Sequence, residues 1–130
     1  MDTILRIALT PDATAKATPL ELLEDFADAT PGWHYLESES QHYAAEKGVE
    51  ACVLRHQRGG QPRYVDLAFA ATDPDKPYNL ELVLVNAPDA ENHLAPNDRQ
   101  QIGRTFLTAM RNYLDARPGH ATLDVEQEQE

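Results

Sequence analysis

The sequence predicts an α+β fold, a two-layer sandwich in which a mainly antiparallel sheet of about five or six strands carries two helices on one face. Three observations lead there. Residues 78–85 place Leu80, Leu82 and Leu84 at period two, the repeat that sends side chains to one face of a strand. Val83 and Val85 make the other face apolar as well, as in a central strand. Residues 96–116 place Ile102, Phe106, Met110 and Tyr113 in one stripe along a helix. Between residues 49 and 85, three strand-like runs are joined by short connections rich in Gly and Pro, the pattern of an antiparallel meander.

Taken in order, residues 3–10 form the first expected strand. Leu5, Ile7 and Leu9 share one face; Ile4, Arg6 and Ala8 share the other, and Pro11 ends the run. Thr18-Pro19-Leu20-Glu21 then opens a helix. Thr18 is the N-cap, Pro19 suits the first helical position, and Glu21 completes a capping box. Leu22, Leu23, Phe26 and Ala29 or Thr30 follow at helical spacing, and Thr30-Pro31-Gly32 stops the helix. Residues 33–40 read as a strand that starts with Trp33 and Tyr35 and runs out into solvent through Glu37-Ser38-Glu39-Ser40. Residues 43–47 fit a helical turn or a strand continuation, broken by Gly48.

In the meander, Val49, Ala51 and Val53 oppose Glu50, Cys52 and Leu54. Residues 58–62 are a Gly-rich hairpin connection, and residues 63–71 return with Val65, Leu67 and Phe69 on one face. Residues 86–95 form a polar loop before the helix at 96–116. Gly103 inside that helix suits close approach to the sheet. Leu123 and Val125 mark a last short strand. The resulting order is β-α-β-β-β-β-α-β, in a single domain over residues 1–126 with a frayed acidic tail at 127–130. The outer sheet face keeps apolar residues in this reading (Ile4, Leu36, Leu54, Val83 and Val85) and so invites a partner or a homodimer.

Composition narrows the function classes. The 130 residues include 11 Lys and Arg against 22 Asp and Glu, a formal net charge of −11. Binding to nucleic acid relies on cations that neutralise phosphates, and docking on an anionic membrane relies on them too, so neither is expected. A single cysteine, Cys52, forms no disulfide within the chain, as suits a reducing cytosol. With no leader-like start and no apolar run of membrane-spanning length, the expectation is a soluble cytoplasmic protein.

No catalytic, metal or cofactor motif emerges. The five histidines (His34, His42, His56, His93 and His120) lack the spacing of a helical metal site; His34, His42 and His56 converge only if the strands bring them together. Cys52 and His56 lie on one strand face but about 13 Å apart by strand rise, so Cys52 reads as a core thiol. Arg58-Gly59-Gly60 lacks the context of a phosphate loop, and Asp73-Pro74-Asp75 lacks the spacing of a calcium loop. The run Leu-Glu-Leu-Val-Leu-Val-Asn at 80–86, with its acidic loop and amphipathic helix, resembles a pattern in small bacterial proteins, which implies no activity.

One surface stands out. Glu21, Glu24, Asp25 and Asp28 form a wet stripe on the first helix, the ordinary solvated side of an amphipathic helix or a contact for a basic partner. The expected function is a non-enzymatic protein-interaction module. An immunity-like or antitoxin-like protein that masks a basic surface is its concrete form. The competing expectation is a small-molecule-binding protein or enzyme with a pocket between sheet and helices, lined by Trp33, Tyr35, Tyr64 or Tyr113.

Overall fold

The computed structural model describes residues 3–12, 18–57, 64–71, 75–76, 78–85, 96–117 and 121–128. Among these residues six strands form one antiparallel sheet, β1 (Thr3–Pro11), β2 (Trp33–Tyr35), β3 (Ala51–Gln57), β4 (Tyr64–Ala70), β5 (Asn79–Leu84) and β6 (Ala121–Glu128). The helices described with them are α1 (Pro19–Ala29), α2 (Glu37–Lys47) and α3 (Pro96–Asp115). The strand order is β2-β3-β4-β5-β1-β6. Four consecutive strands make the meander. The first strand of the chain then lies beside β5, and the last strand lies beside the first.

Register decides what the sheet buries. Ile7 stands opposite both Leu80 and Val125, Leu5 opposite Leu82, Leu54 opposite Leu67, and Phe69 opposite both Cys52 and Leu82. All of these point to one face, which α1 and α3 cover with Leu22, Leu23, Phe26, Ile102, Phe106 and Met110. The expected α+β sandwich with two helices on one face is therefore present, and β5 is a central strand. The centre of the layer is aromatic. Phe26 of α1 meets Phe106 of α3 edge-on at 5.8 Å between ring centroids, and Trp33 of β2 and Phe69 of β4 meet Phe106 at 5.9 and 4.8 Å. Such tilted and edge-to-face contacts suit the charge distribution of the rings.

α1 starts as its sequence indicates. The Thr18 hydroxyl accepts the Glu21 amide at 3.2 Å, and Pro19 occupies the first turn. Residues 33–40 differ from expectation. Only Trp33–Tyr35 is a strand, and the polar run after it is α2, so the order is β-α-β-α-β-β-β-α-β. The run from Glu37 to Gln41 offers no alternating apolar face to a sheet, while Glu37 and Glu39 favour the positive end of a helix and Lys47 its negative end. Gly48 closes α2 in the left-handed region at φ 70°, donating its amide to Ala44 O at 2.8 Å.

α2 takes the place of β2 along the first half of β3. Leu36 donates its amide to Val53 O at 3.0 Å. The buried Ser40 hydroxyl donates to Leu36 O at 2.6 Å and accepts the Val53 amide at 2.8 Å. One side chain thus satisfies the β3 backbone where the ladder stops.

The second face of the sheet also departs from expectation. Leu54 lies in the core on the helix side and contributes nothing to the outer face. Leu36 is half-buried at the start of α2, Val83 and Val85 are half-buried, and the Ile4 side chain lies outside the described residues. Ion pairs occupy this face. Arg55 and Asp66 are opposite one another in register, and the guanidinium binds the carboxylate through two bonds of 2.8 and 3.0 Å, with Asp66 only 1% exposed. Arg6 and Glu81 pair at 3.7 Å. Pairing of β6 continues to Glu128, opposite Leu5, two residues past the expected end of the strand. The connections expected at 58–62 and 86–95 lie outside the described residues.

Two substitutions test this architecture. Phe106→Ala should lower stability by ~3–5 kcal/mol, as truncation of a buried aromatic does; a loss under about half a kcal/mol in a urea titration would place the ring outside the core. Ser40→Ala should cost ~1–3 kcal/mol, because it strands the buried Val53 amide. Hydrogen exchange at Val53 should rise with it, and an unchanged exchange rate would mean that the serine does not hold that edge.

Candidate functional site

The acidic stripe on α1 follows from the packing of the opposite side. Leu22, Leu23, Phe26 and Ala27 are buried against the sheet. Helical geometry then sends Glu21, Asp25 and Asp28 into solvent and leaves Glu24 half-buried at the boundary. All four expected side chains share one surface, and Glu37 at the start of α2 joins them. The Glu24 carboxyl is raised above its ordinary value, first by burial and then by the charges of Asp28, Asp25, Glu21 and Glu37. Among the described residues, none of these five carboxylates makes an ion pair. Nor do they converge as a metal site: no group of three or more His, Cys, Asp or Glu side chains with that geometry occurs among the described residues.

Behind Glu24 lie Tyr35 and Cys52. Burial pushes the Cys52 thiol up to about 12, with the Glu24 charge acting in the same direction. A thiol held protonated is a poor nucleophile. Tyr35 is also raised, chiefly by burial, and Ser40 opposes this by hydrogen bonding. The three candidate histidines stay apart. His56 is stacked on Trp33 at 4.2 Å, whereas His34 pairs in register with Arg55 and is exposed. His42 is exposed on α2 and faces Glu46 at 3.9 Å. His93 and His120 lie outside the described residues.

Among the described residues, aromatic and aliphatic side chains pack the space between sheet and helices. Trp33 and Tyr113, two of the aromatics expected to meet a ligand, are core residues. Tyr35 packs at the edge of the core, and the Tyr64 side chain lies outside the described residues. Concavities occur at the surface instead. The two that matter here run between α3 and β6 and are both lined by Arg111. Arg104 and Arg111 stand seven residues apart, as do Leu107 and Leu114, a spacing that puts each pair on one side of the helix. No helix among the described residues is long and apolar enough to cross a membrane.

The raised Glu24 carboxyl has a consequence for stability. The folded state holds this proton at a pH where the unfolded chain has released it, so stability falls as pH rises through the carboxylate range. Glu24→Gln should therefore flatten the pH dependence of the melting temperature between about pH 4 and 6. It should also raise the melting temperature at pH 7. Parallel curves for the two proteins would mean that the Glu24 carboxyl is not raised in the folded state.

Comparison with protein-family models, with curated proteins and with solved structures finds no match to this chain.

Proposed function

We propose that this protein is a non-enzymatic interaction module that binds a basic protein partner through the acidic face of α1. The observation that carries this reading is the crowding of Glu21, Glu24, Asp25, Asp28 and Glu37 with no ion pair among the described residues. Repulsion among these groups is relieved when cations of a partner dock on them. Packing among the described residues supports the same choice over a small-molecule site between sheet and helices, because Phe26, Trp33, Phe69 and Phe106 occupy the centre of that layer. A masking role, in which the acidic surface covers a basic patch on a toxin-like partner, is the concrete form of this proposal. Net charge of −11 would speed that encounter. A homodimer through the sheet face has less support, since ion pairs interrupt the apolar area there.

The test begins with partners captured from the native host and continues with association rates at low and moderate salt. Replacing Glu21 and Asp25 together by Lys should slow association by about three- to tenfold and weaken its salt dependence, because rim charges act mainly on encounter. An unchanged rate with a basic partner would remove the α1 face from the interface. Recovery of RNA or of neutral metabolites alone would refute the protein-partner reading.

A further inference from the structure

The sheet ends at β6, and this strand is incompletely covered. Leu5, Ile7 and Leu9 of β1 are buried, but Leu123 and Val125, which stand opposite Leu9 and Ile7 on β6, are only half-buried. Leu107 and Leu114 of α3 form the inner wall. The space between helix and strand opens as two grooves of about 550 and 390 Å³ that meet at Arg111. Arg117 stands at one end, with its guanidinium 4.0 Å over the Tyr113 ring and bonded to Tyr113 O. Among the described residues β6 pairs only with β1, so its other backbone edge presents amides and carbonyls to any strand that arrives.

We propose that this groove takes an extended segment of a partner protein, which joins the sheet beside β6 as a further strand and places apolar side chains on Leu123 and Val125 and carboxylates at Arg111 and Arg117. The chemistry of both faces selects this occupant. On the α3 side Leu107, Leu114, Leu123 and Val125 meet three guanidinium groups, Arg104, Arg111 and Arg117, against two carboxylates, Asp115 and Asp124, and guanidinium groups bind carboxylates in two-point geometry. Thr122, Asp124 and Glu126 alternate with these apolar residues along β6 and are exposed, with Thr122 and Asp124 reaching the rim of the groove and Glu126 accepting from Asn79 on the other face. A second copy of β6 paired antiparallel would bring Asp124 and Glu126 against the same acids, in chains that each carry a net charge of −11. Like charges across a strand pair are destabilising. A partner strand with neutral or basic residues on that face meets no such repulsion. The surface is separate from the acidic face of α1 and selects the opposite charge.

The experiment pans a displayed library of random nine-residue peptides on the intact chain. Enriched sequences should alternate, with apolar residues and Asp or Glu in one register. Binding of a synthetic peptide of this pattern should weaken about tenfold for Arg111→Glu, the loss of one charge-assisted contact. Replacing the peptide's acids by Lys should restore it. Amides of β6 should gain protection from hydrogen exchange only when peptide is bound. Three results would overturn the proposal: no enrichment, enrichment of basic peptides that depend on Glu21 and Asp25, or a dimer in ultracentrifugation that protects β6 without peptide. Loss of the α1 reading would leave these outcomes unaffected, since neither Arg111 nor β6 belongs to that face.

Discussion

Phe106 is the contact on which the rest of the molecule depends. Its ring reaches Phe26 on the other helix, Trp33 on an edge strand and Phe69 in the middle of the sheet. Two helices lying on a sheet must bury their apolar stripes against it and against each other, or neither stays in place. Here one side chain does both. The β2 edge follows from the same contact. β2 has only three residues, too few to be held by ladder hydrogen bonds alone. Trp33 anchors it through Phe26 at 5.3 Å and through the stacked His56. The chain leaves β2 for α2 immediately afterwards, and Ser40 completes the β3 edge.

The fixed orientation of the helices determines where charge can go. Once Leu22, Leu23 and Phe26 face the core, the acids of α1 must face out together, and their mutual repulsion is a by-product of good packing. On α3 the core stripe likewise leaves Arg104 and Arg111 on a flank that borders β6. On the second face of the sheet Val53, Ala68 and Asp66 are also buried. This face reconciles burial with polarity by pairing Arg55 with Asp66, because a carboxylate that is nearly inaccessible needs a partner able to satisfy both oxygens.

How much of this was legible in the sequence depended on how local the cause was. Thr18 and Pro19 announce α1 because capping is written within four residues. The stripe of Ile102, Phe106, Met110 and Tyr113 was readable for the same reason, since burial of one helix face leaves a period in the chain. α2 was not readable as a helix. It buries Ser40 alone among its residues, so it has almost no apolar stripe, and its polar run looked like a strand leaving the sheet. The side chain of Leu54 was assigned to the wrong face because strand alternation fixes which residues lie together but not which set faces the helices. The cross-strand pair of Arg55 and Asp66 was hidden too. It arises from register across a connection, and neither residue alone marks it.

The candidate surfaces divide along the same line. The α1 acids could be found early because four of them lie on eight consecutive residues of one helix. The groove beside β6 could not, since it joins a helix to a strand through the strand order, and β6 pairs with β1 at the far end of the chain. Topology also leaves β6 as an edge. Its half-buried Leu123 and Val125 fill the core from one side only, whereas the equivalent edge at β3 is finished by Ser40 and Leu36. The two ends of the sheet therefore differ in kind. One is closed by a side chain and a helix that the sequence places directly after a short strand. At the other, among the described residues, backbone groups and apolar surface are left beside cations, and an edge of that composition is suited to pairing with a complementary strand.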